Sequence, residues 1–394
     1  MKSRRDQTLG PLEHIMSKTK KRVFILGHLG FRNFGDELML QGFFDGIGSL
    51  REAIEWSFLV PKGSENFKDY SGSQVPSDVS SIMAELRCCD AVVIMGGTSF
   101  HDNYPFKRVI RYWINLAAYV FIAKICQWRR KPFLMIGVGF GPARYGLTRF
   151  FIKKIIGASN QIVVRDSTSE NLLKSLKIDE SKYTRGQDLA LLFGQDAADV
   201  RPKEKKIVVN FIDEPCLKES DAPWHQKTIE CLCVALEKFF QTHPDHELHL
   251  LPLGMGRSDR DEVALATIHE RLRSTTNIKI VLHPFSAVPD TAISTLKECA
   301  AFITSRYHGA VAGYALSVPT FHVCYHPKVD TFAQDIGASD DYVLTPAMHP
   351  SADQFSQFLH DATTDTFRHP TLDVVTARKA ALQSVSTFKQ EVLP

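Results

Sequence analysis

The chain has 394 residues, 44% hydrophobic and 23% charged, a globular composition that accommodates roughly two to three domains. Its 47 Lys and Arg against 44 Asp and Glu give a net charge of +3, too small an excess to indicate a nucleic-acid partner. The eight cysteines include no CxxC pair, which argues against a zinc site or a disulfide framework and favours buried, reduced thiols.

The first residues are polar and basic, without the apolar core of a secretory signal peptide. We therefore expect residues 1–21 to form a disordered arm or a surface contact. We also expect the protein to be cytoplasmic.

From residue 22 onward, short β-branched runs alternate with longer amphipathic segments. The predicted strands lie at 22–27, 55–60, 90–95, 132–138 and 161–165, and the predicted helices at 36–47, 107–128 and 146–159. Ser167 and Glu170 predict a capping box for a further helix. This alternation is typical of βαβ units around a parallel sheet.

The predicted helix at 107–128 contains the longest apolar stretch of the sequence, residues 113–126. This stretch is shorter than the roughly 20 residues that span a membrane. Two interpretations stay open: a helix buried against the sheet, or an interfacial helix that holds the protein at the inner face of a membrane. Basic residues flank the stretch at Lys107, Arg108, Arg111, Arg129, Arg130 and Lys131.

The charged segment 198–206 contains Pro202 and predicts a linker, after which the alternation restarts. The second set of predicted strands lies at 206–212, 247–253, 278–282, 301–304 and 320–325, and the helices at 224–241, 257–273, 290–299 and 309–316. We expect an α/β protein whose two Rossmann-like domains, 22–198 and 203–345, have parallel sheets that face a cleft. A partly helical tail at 346–394 is expected to pack back across the domains. Ligands of such sheets bind at the carboxyl ends of strands.

A glycine-rich loop follows the first predicted strand, at residues 27–37. Its glycines allow backbone amides to approach a ligand, and the helix that follows favours an anion. The spacing lacks both the GxGxxG fingerprint and the GK[ST] ending, which argues against NAD or a nucleoside triphosphate. Asp36 is interpreted as functional because of its place on this loop, whereas Glu37 is interpreted as a helix-capping carboxylate.

Two weaker signals follow later strands of the first half. Gly97 lies in a second glycine turn with Asp102 just beyond it, and a tight turn alone explains the glycines. Arg165 ends a predicted strand, where its guanidinium either binds a carboxylate or phosphate or forms a structural pair with Asp166.

The segment 304–310 carries the strongest signal. Arg306 offers a planar donor fork for a carboxylate or phosphate, and His308 can act as an acid or a base near neutral pH. Both lie at the start of a predicted helix. Lys328 and Asp330 follow the next strand, where they either line the same cleft or are solvated charges.

Together these motifs resemble the polysaccharide pyruvyl transferase family, in the family's order, from Val23 to Gly337. The chain departs from the family pattern at Thr98, where a third glycine is usual, and at Tyr307, where Leu is common. The matching positions are Gly30, Asn33, Gly35, Asp36, Glu37, Gly96, Gly97, Asp102, Gly137, Gly139, Gly141, Pro142, Arg165, Asp166, Asp188, Ala190, Arg306, His308, Tyr325, Pro327, Lys328 and Val329.

The resemblance implies a fold like the two-Rossmann (GT-B-like) glycosyltransferases, with phosphoenolpyruvate as donor and a sugar as acceptor. It implies transfer of the enolpyruvyl group onto two hydroxyls as a cyclic pyruvate ketal in polysaccharide biosynthesis, without a metal or cofactor. His308 and Asp36 are the candidate acid and base. The candidate donor-binding residues are Arg165, Arg306, Lys328, Gly35 and Gly97, and the candidate acceptor-binding or supporting residues are Asn33, Glu37, Asp102 and Asp330.

Two other classes stay open. A nucleotide-sugar-dependent glycosyltransferase of the same architecture requires carboxylates at the ribose, for which Asp213 and Glu214 are the candidates. A non-catalytic sugar- or anion-binding protein would keep the arginines and tolerate loss of Asp36 and His308. The acceptor glycan is lipid-linked, nucleotide-linked or polymeric, and the oligomeric state stays open.

Overall fold

The fold is that of a computed structural model, which describes residues 20–62, 71–97, 100–103, 106–194, 204–213, 222–256, 260–274 and 278–393. Most of the predicted arm at 1–21 and of the predicted linker at 198–206 lies outside these residues, as do Thr98 and Glu214.

Seven parallel strands form the first sheet. The strands are β1 (Lys21–Leu26), β2 (Ile54–Val60), β3 (Ser73–Pro76), β4 (Ala91–Met95), β5 (Phe133–Val138), β6 (Gln161–Val164) and β7 (Tyr183–Arg185), and the helices between them are α1 (Phe34–Ile47), α2 (Val79–Cys88), α3 (Phe106–Trp128), α4 (Gly146–Ala158) and α5 (Ser167–Ser175). The strand order is β3-β2-β1-β4-β5-β6-β7. Strands β4 and β5 are fully buried apolar runs, as expected where helices cover both faces of a parallel sheet.

Six parallel strands form the second sheet. The strands are β8 (Glu204–Asn210), β9 (Glu247–Leu250), β10 (Lys279–Leu282), β11 (Cys299–Thr304), β12 (Thr320–Val323) and β13 (Val343–Leu344), and the helices are α6 (Ala222–Thr242), α7 (Asp261–Leu272), α8 (Pro289–Lys297), α9 (Tyr307–Ala315) and α10 (Pro327–Ile336). The strand order is β10-β9-β8-β11-β12-β13. In both sheets the strand order reverses beside the first strand of the domain, at β1/β4 and at β8/β11, which is the Rossmann arrangement. The predicted fold of two Rossmann-like domains is confirmed.

The C-terminal tail forms two helices that pack on different domains. Helix α11 (Ala352–Thr363) packs on α6 and β11, whereas α12 (Val374–Val392) packs on β5, β6 and α1 of the first domain. Arg378 of α12 donates from Nε to the Leu191 carbonyl and from Nη2 to the Ala315 carbonyl, at 3.0 and 3.2 Å. The tail thus binds both domains.

Helix α3 packs one side on the first domain and exposes the other side to solvent. Its buried residues are Val109, Leu116, Ile122, Ala123 and Cys126. Among the described residues it is the one helix long and apolar enough to cross a membrane, and only 28% of its most apolar window is buried.

The predicted capping box at Ser167 and Glu170 is wrong. Asp166 caps α5 instead, because its carboxylate accepts a hydrogen bond from the Ser169 backbone N–H at 2.7 Å. Glu170 pairs with Lys174 and Arg185. Because Asp caps helices as well as Ser does, the helix begins one residue earlier than the predicted capping box implies.

A candidate active site in the closed interdomain cleft

The loop after β1 lies against the second domain. The Phe34 N–H donates to the Leu253 carbonyl at 3.1 Å, and the Met255 N–H donates to the Arg32 carbonyl at 3.1 Å. These backbone contacts join the carboxyl-end loops of the two sheets, so the cleft between the domains is closed at this point.

Gly35 lies directly against the imidazole of His308. A Cβ at Gly35 would overlap the His308 ring, so a larger residue requires that one of them moves. Asn33 caps α1 by accepting the Gly35 N–H on its side-chain oxygen at 2.9 Å. Asn33 and Gly35 therefore shape the start of α1 into a surface on which His308 packs.

Three helices begin at one small pocket. Asn33 precedes α1, Arg306 precedes α9 and His326 precedes α10. The pocket is lined by Asn33, Phe34, Gly35, Leu253, Arg306, Tyr307, His308, Gly309, Tyr325 and Lys328. Since helix starts carry partial positive charge, the pocket favours an anion.

A buried carboxylate, Asp188, lies behind His308. Its Oδ2 is 2.9 Å from Arg165 Nη1 and 3.7 Å from His308 Nε2. Burial acts to raise the pKa of Asp188, but the opposing effects of His308 and Arg165 hold that pKa at about 2. Asp188 is therefore an anion at neutral pH that faces His308 from within the fold.

Arg165 lies behind the pocket and does not form part of its lining. Besides Asp188, its Nε is 3.4 Å from Asp166, and its guanidinium carbon lies 4.2 Å from the centre of the Tyr307 ring. Its side chain is almost fully buried. In this position Arg165 holds Tyr307, the residue between the two strongest predicted site residues.

Arg306 lines the pocket and is held by a second buried carboxylate. Its Nε and Nη2 donate to Asp261 Oδ1 at 2.9 and 2.6 Å. The other Asp261 oxygen accepts from the Asn210 side chain at 2.7 Å and from the backbone N–H groups of Leu253 and Gly254 at 2.8 and 3.1 Å. Asp261 thus fixes both the guanidinium and the loop after β9.

Lys328 lies on the pocket rim, with Nζ 6.0 Å from the centre of the Tyr307 ring. His101 of the first domain approaches the same rim, its ring centre 6.3 Å from that of His326. Burial, together with the charge of Lys328, lowers the pKa of His101 to about 4 against an opposing effect of Asp102. His101 is therefore a neutral imidazole at neutral pH.

The other predicted acidic residues lie away from the pocket lining. Asp36 Oδ2 is 3.1 Å from Nδ1 of His28. Glu37 accepts the Gly30 N–H at 3.0 Å, and burial raises its pKa to about 7 despite that hydrogen bond. Glu37 therefore holds the loop before α1, whereas the helix cap itself is Asn33, and Glu37 titrates near neutral pH.

Asp102, Asp330 and Gly97 have local structural contacts. The buried Asp102 carboxylate accepts the backbone N–H groups of Arg144 and Tyr145, both at 2.8 Å. Asp330 accepts from Gln334 of its own helix, and the Gly97 carbonyl accepts the Gly139 N–H at 2.9 Å. Within the described part of the chain, no group of three or more His, Cys, Asp or Glu side chains could hold a metal ion.

A family model described as polysaccharide pyruvyl transferase matches residues 33–327, most of the chain. The chain belongs to the polysaccharide pyruvyl transferase family. The match covers Asn33, Gly35, Arg306 and His308 and ends one residue before Lys328. Its family is therefore that of a pyruvyl transferase. A sugar or glycan acceptor is consistent with this family. No curated protein matches the chain.

Solved structures with a similar fold share little sequence with this chain. UDP-GlcNAc 2-epimerase from Methanocaldococcus jannaschii has a TM-score of 0.58 at 11% identity, over 94% of this chain and 99% of that one. UDP-GlcNAc 2-epimerase from Neisseria meningitidis, bound to UDP-GlcNAc, has a TM-score of 0.54 at 11% identity, over 94% and 100%. At this identity the likeness establishes only the GT-B-like two-Rossmann fold.

Replacing Asp188 with Asn should strongly destabilise the protein. The variant leaves the buried Arg165 charge without its closest partner, which typically costs about 3–5 kcal/mol. We expect a decrease of this size in the free energy of unfolding measured in urea. Asp330→Asn, the same change in the first turn of α10, should stay within about 0.5 kcal/mol. Equal, small losses in both variants would indicate that Asp166 alone satisfies Arg165.

Glu37→Gln should change how stability depends on pH. Because the pKa of Glu37 rises from 4.5 to about 7 on folding, the native state binds this proton more tightly, and the wild type loses stability as pH rises through that range. Relative to the wild type, the variant should gain up to about 3 kcal/mol between pH 4.5 and pH 8.5 in urea unfolding.

The control for this prediction is Glu262→Gln, an exposed glutamate in the first turn of α7. Its unfolding free energy should stay parallel to that of the wild type at every pH. A Glu37→Gln profile that is also parallel would contradict the raised pKa.

Proposed function

We propose that this protein transfers the enolpyruvyl group of phosphoenolpyruvate onto two hydroxyls of one sugar, forming a cyclic pyruvate ketal in polysaccharide biosynthesis. Family membership supports pyruvyl transfer in general. The observation that carries the donor assignment is the convergence of three helix starts with Arg306, His308 and Lys328 on one pocket. A donor with both a carboxylate and a phosphate requires such concentrated positive potential.

The reaction balances with the donor, a diol and phosphate alone. One hydroxyl oxygen bonds to the enol carbon while the methylene carbon gains a proton and becomes a methyl group. The second hydroxyl oxygen bonds to the same carbon as the carbon–oxygen bond to phosphate breaks. Of the two hydroxyl protons, one is matched by the proton on the methyl group and the other leaves with phosphate.

His308 is our candidate for the acid that protonates the methylene carbon. In the closed cleft its ring lies between Gly35 and Asp188. A donor carbon can reach the Nδ1 side only when Gly35 moves away, so this role requires the cleft to open and close during turnover. The Asp188 carboxylate lies 3.7 Å from the other ring nitrogen, Nε2, and so orients the imidazole.

Asp36 is our candidate for the base that accepts a proton from the attacking hydroxyl. It lies in the first turn of α1, next to Gly35, and its partner His28 is on the same loop. Asn33, Glu37 and Asp102 support the acceptor side through the loops they hold, and Asp330 lies near Lys328. Arg165 and Gly97 act on the donor through the groups they position.

The proposal includes a cytoplasmic location, peripheral at the inner face of the membrane, and no cofactor besides the donor substrate. The acceptor is a sugar carried on a lipid, a nucleotide or a polymer. The cytoplasmic location agrees with the chemistry of the donor, because phosphoenolpyruvate is a small trianion that does not cross a bilayer unaided.

Donor binding should depend on Lys328 and Arg306. Lys328→Gln removes a charge from the pocket rim, and Arg306→Lys keeps a charge beside Asp261 but loses the planar fork. In calorimetric titration with phosphoenolpyruvate, each variant should bind about tenfold more weakly, or worse, than the wild type. Lys379→Gln, an exposed lysine on α12, should bind as the wild type does.

A wild-type protein that binds UDP-GlcNAc but not phosphoenolpyruvate would instead favour the nucleotide-sugar glycosyltransferase. Binding of phosphoenolpyruvate that is unchanged in both pocket variants would remove Arg306 and Lys328 from the donor site.

His308→Gln should separate turnover from donor binding. Loss of a positioned acid typically lowers the rate by about 10²–10⁴-fold, whereas the amide keeps the shape of the pocket. We expect phosphate release from phosphoenolpyruvate, measured with an acceptor found by screening sugars, to fall in this range while calorimetric affinity stays within about threefold. His360→Gln on α11 is the control. Wild-type turnover in His308→Gln would exclude His308 as the acid.

A further inference from the structure

We propose that the solvent-facing side of α3, together with the exposed side of α4, is a docking surface for an anionic lipid bilayer. We call this surface the α3–α4 face. It gives the peripheral location proposed above a specific site on the molecule, and its test does not use the transfer reaction.

The α3 side of this face is an apolar stripe. Its members recur at intervals of four or seven residues, so they lie on one side of the helix. Ile114 is 67% exposed and Trp128 is 78% exposed. A helix of 23 residues extends this stripe over about 35 Å. The exposed members are Phe106, Ile110, Ile114, Phe121 and Trp128.

Helix α4 widens the stripe near the start of α3. The Trp113 indole N–H donates to the Thr148 hydroxyl at 2.9 Å, and the Tyr145 ring lies 6.0 Å from that of Phe106. Leu147 and Phe150 of α4 are exposed beside these contacts. A continuous exposed apolar area of this kind is uncommon on a soluble monomer and marks an interaction surface.

The charges of the α3–α4 face select an anionic partner. Although Lys and Arg barely outnumber Asp and Glu in the chain, no Asp or Glu occurs between Asp102 and Asp166. The exposed charged residues of this segment are all basic: Lys107, Arg108, Arg111, Lys124, Arg129, Arg130, Arg144, Arg149, Lys153 and Lys154. Apolar side chains flanked by Lys and Arg fit the interface of a bilayer with anionic lipids.

The same charges argue against a second copy of this chain as the partner, because two copies of the α3–α4 face would bring like charges together. The opposite side of α3, with Val109, Leu116 and Cys126, is buried against its own domain. We therefore infer that α3 lies in the plane of the membrane surface and does not span the bilayer.

The α3–α4 face adjoins the pocket. Helix α3 begins four residues after Asp102, whose carboxylate also holds the Arg144 and Tyr145 backbone at the start of α4. His101, next in the chain to Asp102, lies on the pocket rim opposite His326. Docking through this face therefore brings the cleft close to the lipid surface, where a lipid-carried sugar would lie.

The test is flotation of the full chain with vesicles of phosphatidylcholine or of an equal mixture of phosphatidylcholine and phosphatidylglycerol. We expect the wild type to float with the anionic vesicles and to remain largely unbound with the neutral ones, with binding that weakens as salt increases. The double variant Ile114→Asp/Phe121→Asp should reduce the partition coefficient at least about tenfold. Val263→Asp/Val375→Asp, two exposed valines on α7 and α12, is the matched control and should float as the wild type does.

Thermal melting and calorimetry with phosphoenolpyruvate on the α3 double variant establish that its fold and pocket are intact. If the double variant does not fold, the milder Ile114→Ser variant replaces it. Lys153→Gln/Lys154→Gln should weaken only the binding to anionic vesicles. Absence of wild-type flotation, or equal flotation of the α3 double variant, overturns the proposal. A dimer in sedimentation that the α3 double variant dissociates, without vesicle binding, would assign the face to a second copy.

Discussion

The buried carboxylate of Asp188 is the interaction on which the site depends. An anion removed from water requires compensating partners, and those of Asp188 come from three separate places: Arg165 after β6, His308 in α9 and the Ala190 backbone N–H. His308 belongs to the second domain and the others to the first. Asp188 therefore connects the two domains at the candidate acid, beside the backbone hydrogen bonds that close the cleft.

The second domain repeats this arrangement with Asp261 and Arg306. In each domain a buried carboxylate fixes an arginine just after the carboxyl end of a strand, Arg165 after β6 and Arg306 after β11. Of these two strands, β11 borders the switch point of its sheet. The two arginines have different positions: Arg165 is enclosed and packs on Tyr307, whereas Arg306 lines the pocket. Three helix starts then add positive potential that no single charged residue provides.

The sequence predicts the two domains and the main loops, because alternation of strands and helices is a local pattern and ligand loops follow strands. Of the residues that the sequence singled out, Gly35, Arg306, His308 and Lys328 line one pocket in the structure. The sequence did not reveal the pairs Arg165–Asp188 and Arg306–Asp261, whose partners are 23 and 45 residues apart, because no local pattern encodes such contacts. Strands β3, β7 and β13, which have four, three and two residues, were not predicted.

Two further contacts between the domains lie at opposite ends of α9. His308, in its first turn, is enclosed by Gly35 and Asp188, whereas Ala315, about two turns later, accepts a hydrogen bond from Arg378 of the tail. Movement that frees His308 from Gly35 therefore need not break the contact at Arg378. Since the α3–α4 face belongs entirely to the first domain, that domain can stay on a lipid surface while the second moves. Access of the donor and attachment to the membrane are in this way physically separable, although His101 and Asp102 connect them in the chain.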